Sequence, residues 1–111
     1  MFGKIFIIYL LSWSAFATCI DAVPTDYTNF CASFKSVAIC HCTSSGLPSG
    51  ICQDMNFLYR RMVGLYGSLE KACSHQRHTS YQNCLDNWNC YLLGGVDSKK
   101  RICSSNRRAC V

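Results

Sequence analysis

Carboxylates are scarce in this chain. Six aspartates and glutamates stand against eleven lysines and arginines in 111 residues. So few acids leave general acid–base chemistry little to work with, and none of them are paired at a spacing that marks a two-carboxylate site. A Ser-His-Asp signature and a glycine-rich phosphate loop are missing as well. No stretch alternates apolar and polar residues for long enough to argue for a sheet, and no internal repeat is evident. Beyond the N-terminal segment, no apolar run reaches the ~18–20 residues that cross a bilayer. These gaps exclude the familiar hydrolase and nucleotide-binding patterns, a β-protein and a transmembrane span.

Cysteine is abundant, with ten in all, and the N-terminus sets their redox environment. It reads "MFGKIFIIYLLSWSAFATC". Lys4 precedes an apolar run from Ile5 to Leu11 that continues through Trp13 to Phe16, and Ala15-Phe16-Ala17 supplies small residues at a signal-peptidase site. Residues 1–17 are therefore expected to be a secretory signal. Cleavage after Cys19 or Ala22 would leave nine cysteines and one thiol without an internal partner. Cleavage after Ala17 keeps all ten. Phe16-Ala17-Thr18-Cys19 is a poor lipoprotein site, because threonine is unusual just before a lipidated cysteine. The expected product is exported, periplasmic in a bacterium and extracellular otherwise. Residues 18–111 then form a single cysteine-rich domain. A chain this short buries a modest share of its surface. Disulfides, each contributing typically ~2–4 kcal/mol, shift that balance.

Apolar periodicity predicts an all-α fold, a small disulfide-stapled bundle of three to four helices. Tyr27, Phe30, Cys31, Phe34, Val37 and Ala38 share one face of a helix over 26–40, with Thr25 or Asp26 as its cap. "TSSGLPSG" is a loop. Met55, Leu58, Met62, Leu65, Leu69 and Ala72 or Cys73 form a stripe along a long helix over 53–73, and Asp54 suits its positive end. Gly64 and Gly67 each cost ~1 kcal/mol there against alanine; they either admit another backbone or mark a bend. Thr79 or Ser80 caps a third helix, in which Tyr81, Cys84, Leu85, Trp88 and Leu92 face one side and Gly94-Gly95 stops the run. Trp88, Tyr91 and Leu92 are expected to fill the core. The tail carries a last turn or an irregular segment pinned by Cys103 and Cys110.

Cys40, His41, Cys42 and Cys52 raise three possibilities. Structural zinc wants four ligands, often in knuckles with two to four residues between cysteines. Cys40 and Cys42 have one residue between them, and no second knuckle follows. A redox centre usually shows Cys-x-x-Cys at a helix start, in a βαβ setting that this chain lacks. Staples remain. Cys19, Cys31, Cys40, Cys42, Cys52, Cys73, Cys84, Cys90, Cys103 and Cys110 are read as disulfide-forming, with Cys40 and Cys42 going to different partners. Spacing leaves the rest of the pairing open. No metal and no cofactor are expected.

Two further groups carry chemistry. His41, His75 and His78 invite an acid–base pair, as in a small secreted hydrolase, but surface histidines in a polar connection are the simpler account and the one expected. Lys99, Lys100, Arg101, Arg107 and Arg108 form a basic tail. From Thr18 to Ser98 five basic residues face six acidic ones, so the mature charge of +4, the chain's +5 without Lys4, is local to that tail. Such a patch suits nucleic acid, anionic lipid or an acidic partner, but a solvated terminus is the first expectation for it. No aromatic residue is interleaved with these charges, which disfavours base stacking on nucleic acid.

The segment "AICHCTSSGLPSGICQDMNFLYRRMV" resembles the cysteine-rich stretch of the TrbM/KikA-type conjugal transfer proteins. The matching residues are Cys40 or Cys42, Ser45-Gly46, Pro48, Cys52, Tyr59 and Cys73, about a third of the chain. The resemblance implies a small exported protein of bacterial conjugation or type IV secretion that contacts components of the secretion or mating apparatus. It supplies no catalytic residues, and a non-enzymatic role is expected. A secreted toxin or effector using the basic tail, and a histidine-dependent hydrolase, are the alternatives.

Overall fold

The computed structural model describes residues 19–110; the expected signal segment lies outside them. Five α-helices and one 3-10 turn follow one another: α1 (Phe30–Ser44), α2 (Ser49–Cys52), α3 (Met55–Tyr66), α4 (Leu69–Ser74), α5 (Tyr81–Leu92) and the turn Cys103–Ser105. Among the described residues the sole β contact is an isolated antiparallel bridge between Val96 and Ile102. The all-α, disulfide-stapled class holds. Three helices of 15, 12 and 12 residues are joined by two short ones, which turn the chain and pack against the long helices on either side.

Phe34 organises the core. Its ring meets Trp88 edge-on at 4.9 Å and Tyr91 at 5.6 Å, and stacks with Phe30 at 5.8 Å. Tyr59 reaches Trp88 from α3 at 5.6 Å. Each such pair contributes about 0.5–1.5 kcal/mol beyond the area it buries, so the cluster ties α1, α3 and α5 together. Met55, Leu69 and the half-cystines 73, 84, 90 and 103 complete it.

The helix ends differ from the periodic reading in two places. α1 starts at Phe30 and not at residue 26, and Asn29 precedes it without a side-chain cap. Thr25 is used elsewhere. Its hydroxyl donates to Asp97 at 2.6 Å and its carbonyl accepts from the Ser104 amide at 2.7 Å. Both partners lie in the tail, so Thr25 is buried and not available as a cap, and Tyr27 sits exposed in the turn before the helix. α1 then runs past Cys40 to Ser44, and Gly46 follows it at φ 96°.

The expected long helix over 53–73 is two helices. Gly67 adopts the left-handed conformation, φ 95°, that closes α3, and its amide returns to the Val63 carbonyl at 2.7 Å. Ser68 immediately caps α4 by accepting from the Lys71 amide. A glycine stop followed by a serine start redirects the axis. Leu69, Ala72 and Cys73 turn inward while Leu65 is left exposed. Gly64 meets open space, so no neighbouring backbone approaches it. Asp54, expected inside the first turn, is instead the cap that accepts from the Phe57 amide before α3, and Ser80, one of the two expected caps, accepts from the Asn83 amide at the start of α5.

All ten cysteines are paired. Cys19–Cys40 pins the N-terminal segment to α1, and Cys31–Cys110 joins α1 to the C-terminal end. Cys42–Cys52 ties α1 to α2, Cys73–Cys84 ties α4 to α5, and Cys90–Cys103 ties α5 to the 3-10 turn. Cys40 and Cys42 indeed take different partners. Cys52 closes the short α2 just before the position where the long helix over 53–73 was expected to begin. Cα separations of 5.3–5.7 Å fall within the range that a disulfide bridges. α3 is the one described helix of more than a turn or two that holds no half-cystine.

Candidate binding groove

A groove of about 980 Å³ opens between α1, α3 and α5. Its floor is the outer side of the aromatic core. Phe34, Val37 and Ala38 come from α1, Leu58, Met62 and Leu65 from α3, and Trp88 from α5. These positions recur at three- and four-residue steps, so each helix offers a stripe wide enough to bury one edge in the core and leave the other for the groove. The segment Asp21 to Thr25 forms one lip. The Cys19–Cys40 bridge, a bond from the Val23 amide to Ser33 Oγ at 3.0 Å, and the Thr25–Asp97 contact hold it in place.

The rim is polar, with a net positive charge. Arg61, Lys99 and Arg101 line it together with Gln76, Asn83 and Asn87, and Asp21 is its one carboxylate. Arg101 is oriented by Asp97, whose Oδ2 accepts from the guanidinium Nε at 2.8 Å. Asp97 is buried and also accepts from the amides of Lys99 and Arg101, each at 2.9 Å. Burial pushes its carboxyl upward. The Thr25 hydroxyl, the Arg101 amide and guanidinium, and the Lys99 amide outweigh that and hold it below the usual carboxylate range. A second buried carboxylate, Asp86, accepts from the Ser98 amide at 3.2 Å and from its hydroxyl at 2.7 Å. The two aspartates together fix the turn that carries Lys99 and Lys100.

His41 of α1 and His78 of the connection before α5 stack at the same rim, ring centroids 3.6 Å apart. Burial lowers the pKa of both; for His41 the charge of His78 lowers it further, and Asp21 opposes the change at each ring. The pair is neutral at physiological pH. His75 lies apart from it. That ring stacks on Tyr66 at 4.6 Å, and its Nδ1 is 2.8 Å from the Lys71 carbonyl oxygen, so this nitrogen carries the proton. An acid–base pair acting across a phosphate needs room for that group between its two rings. His41 and His78 lie face to face, with no space between them for a substrate, and His75 faces α3.

Of the five tail cations, Arg101 is committed to Asp97, while Lys99, Lys100, Arg107 and Arg108 are exposed. Among the described residues no three His, Cys, Asp or Glu side chains gather as metal ligands. No described helix is long and apolar enough to cross a membrane. Arg61, Asn83 and Asn87 drew no attention in the sequence, because they lie off the apolar stripes, where solvated residues are expected. Asp97 carried a local sign: a short polar side chain beside Ser98 that bonds the amide two residues on is the usual turn-former. Compared with protein-family models, curated proteins and solved structures, the chain matches none.

Proposed function

We propose that this protein is an exported, non-catalytic docking module that holds a segment of a protein partner in the groove between α1, α3 and α5. The observation that carries this reading is the groove's make-up. An aromatic and aliphatic floor beside a cationic, amide-rich rim suits an amphipathic peptide segment with acidic residues at its edges. Disulfides on α1, α4 and α5 keep the site preorganised, which lowers the entropy lost on binding. Five bridges also suit an oxidising compartment, periplasmic or extracellular. The likeness of residues 38–63 to the TrbM/KikA-type proteins directs the proposal to the conjugal transfer or type IV secretion apparatus as the partner.

The test is a pull-down under oxidising conditions against defined secretion and mating-pair components, comparing wild type with Met62→Lys. Recovery of a component by wild type, and its loss with the variant, supports the reading. Recovery of none, or equal recovery by both proteins, removes it. Met62 is half-buried, so near-ultraviolet circular dichroism of the variant accompanies the assay.

A further inference from the structure

The tail builds a second surface, away from the groove floor. Val96 and Ile102 oppose each other in the antiparallel bridge, and directly opposed residues project to the same side. They are 45% and 41% exposed, and Leu93, at the end of α5, is 75% exposed. These three aliphatic side chains sit among cations. Lys100 stands in the turn between the bridged residues. The segment carrying Arg107 and Arg108 crosses directly over Gly94: the Gly95 amide donates to the Arg107 carbonyl at 2.8 Å, and a Cβ on Gly94 would lie 2.4 Å from that same oxygen. The acids nearest in sequence face inward and do not interrupt this surface. Asp86 and Asp97 are buried and bonded to Ser98, Lys99, Arg101 and Thr25. The chain thus hides these two carboxylates under the turn and presents cations and aliphatic groups outward.

We propose that this face docks onto an anionic phospholipid surface. Aliphatic side chains ringed by lysine and arginine suit the boundary of an anionic bilayer, where the apolar groups enter the headgroup region and the cations meet phosphate. The face has no aromatic ring for a base to stack on, which disfavours a nucleic acid as the anionic partner. The lipid contact does not depend on what fills the groove. It would hold the module against the membrane while the groove engages its partner.

The experiment is co-sedimentation of the mature, oxidised protein with vesicles of phosphatidylcholine alone or mixed with phosphatidylglycerol, at low and high salt. Binding is expected on the phosphatidylglycerol vesicles only, and weaker at high salt. Lys100→Gln with Arg108→Gln should weaken it roughly 25-fold, about fivefold per cation. Leu93→Ser with Ile102→Ser should weaken it at low salt by about tenfold or more. These aliphatic residues are exposed, so the thermal midpoint should barely move. Failure of the wild type to sediment with the anionic vesicles overturns the proposal. So does binding that the serine substitutions leave unchanged, since the contact would then be purely ionic, as with an acidic protein or nucleic acid.

Discussion

Gly64 and Gly94 respond to a side chain in opposite ways. Gly64 lies in the interior of α3, facing open space with ordinary helical φ, so it only adds backbone freedom to the unfolded chain. Gly64→Ala should raise stability by up to ~1 kcal/mol. Gly94 has φ 74° and the chain from Arg107 to Ala109 lies against its Cα. Gly94→Ala should cost more than about 3 kcal/mol or prevent folding, because a side chain would both strain the backbone and push the tail off α5. Urea unfolding of the two oxidised variants beside wild type checks both signs. The stacked histidines give a third residue-scale result. Their folded pKa values lie below the unfolded value of 6.5, so below that value the unfolded chain binds more protons than the folded one. Their stabilisation is complete above about pH 6.5 and is lost as pH falls through the folded values. His78→Phe keeps a ring in the stack without the charge. The stability difference between variant and wild type should therefore shift in the variant's favour from about pH 7 to 5. A difference that does not change over that range would mean that the stack does not resist protonation.

At the scale of elements, α3 stands out. Cys52 and Cys73 bracket it, but no bridge enters it, and Met55 is its one fully buried side chain. It is also the groove wall that carries Leu58, Arg61, Met62 and Leu65. A wall held by packing alone can adjust to an occupant while α1 and α5 stay fixed. Amides in the second half of α3 should accordingly exchange with deuterium faster than those in the middle of α1 and α5. Equal protection would mean that the groove is rigid on all sides. This helix also shows how far the sequence could be read. Its acidic start at Asp54 and its apolar stripe are local features and were legible. Its end was only half legible: a glycine followed by serine is a stop and a start, but the stripe from Leu65 to Leu69 happens to run through the break in register. The start of α1 was not legible, because the residue that would cap it is taken by Asp97, 72 positions away. The groove was not legible for the same reason. Its residues come from three helices and four connecting segments, and Arg61 or Asn87 alone looks like any solvated position. The closeness of His41 to His78 likewise depends on the Cys73–Cys84 turn bringing the connection back to α1.

Across the whole molecule, the two ends of the described chain are closed on each other. Cys31–Cys110 spans 79 residues, and a loop of that size removes about 4–5 kcal/mol of unfolded-chain entropy in the loop-closure model. The Thr25–Asp97 and Thr25–Ser104 contacts run beside that bridge and bind the N-terminal lip to the tail. The groove and the cationic face therefore share one frame, since the turn that orients Arg101 toward the groove also presents Lys100 outward. That frame rests on sulfur. Peptide mapping of the mature, non-reduced protein by mass spectrometry tests it most directly. The fold described here predicts no free thiol, Cys19 retained, and the pairs 19–40, 31–110, 42–52, 73–84 and 90–103. Free thiols at these positions, or a bridge between any other two of them, would contradict it.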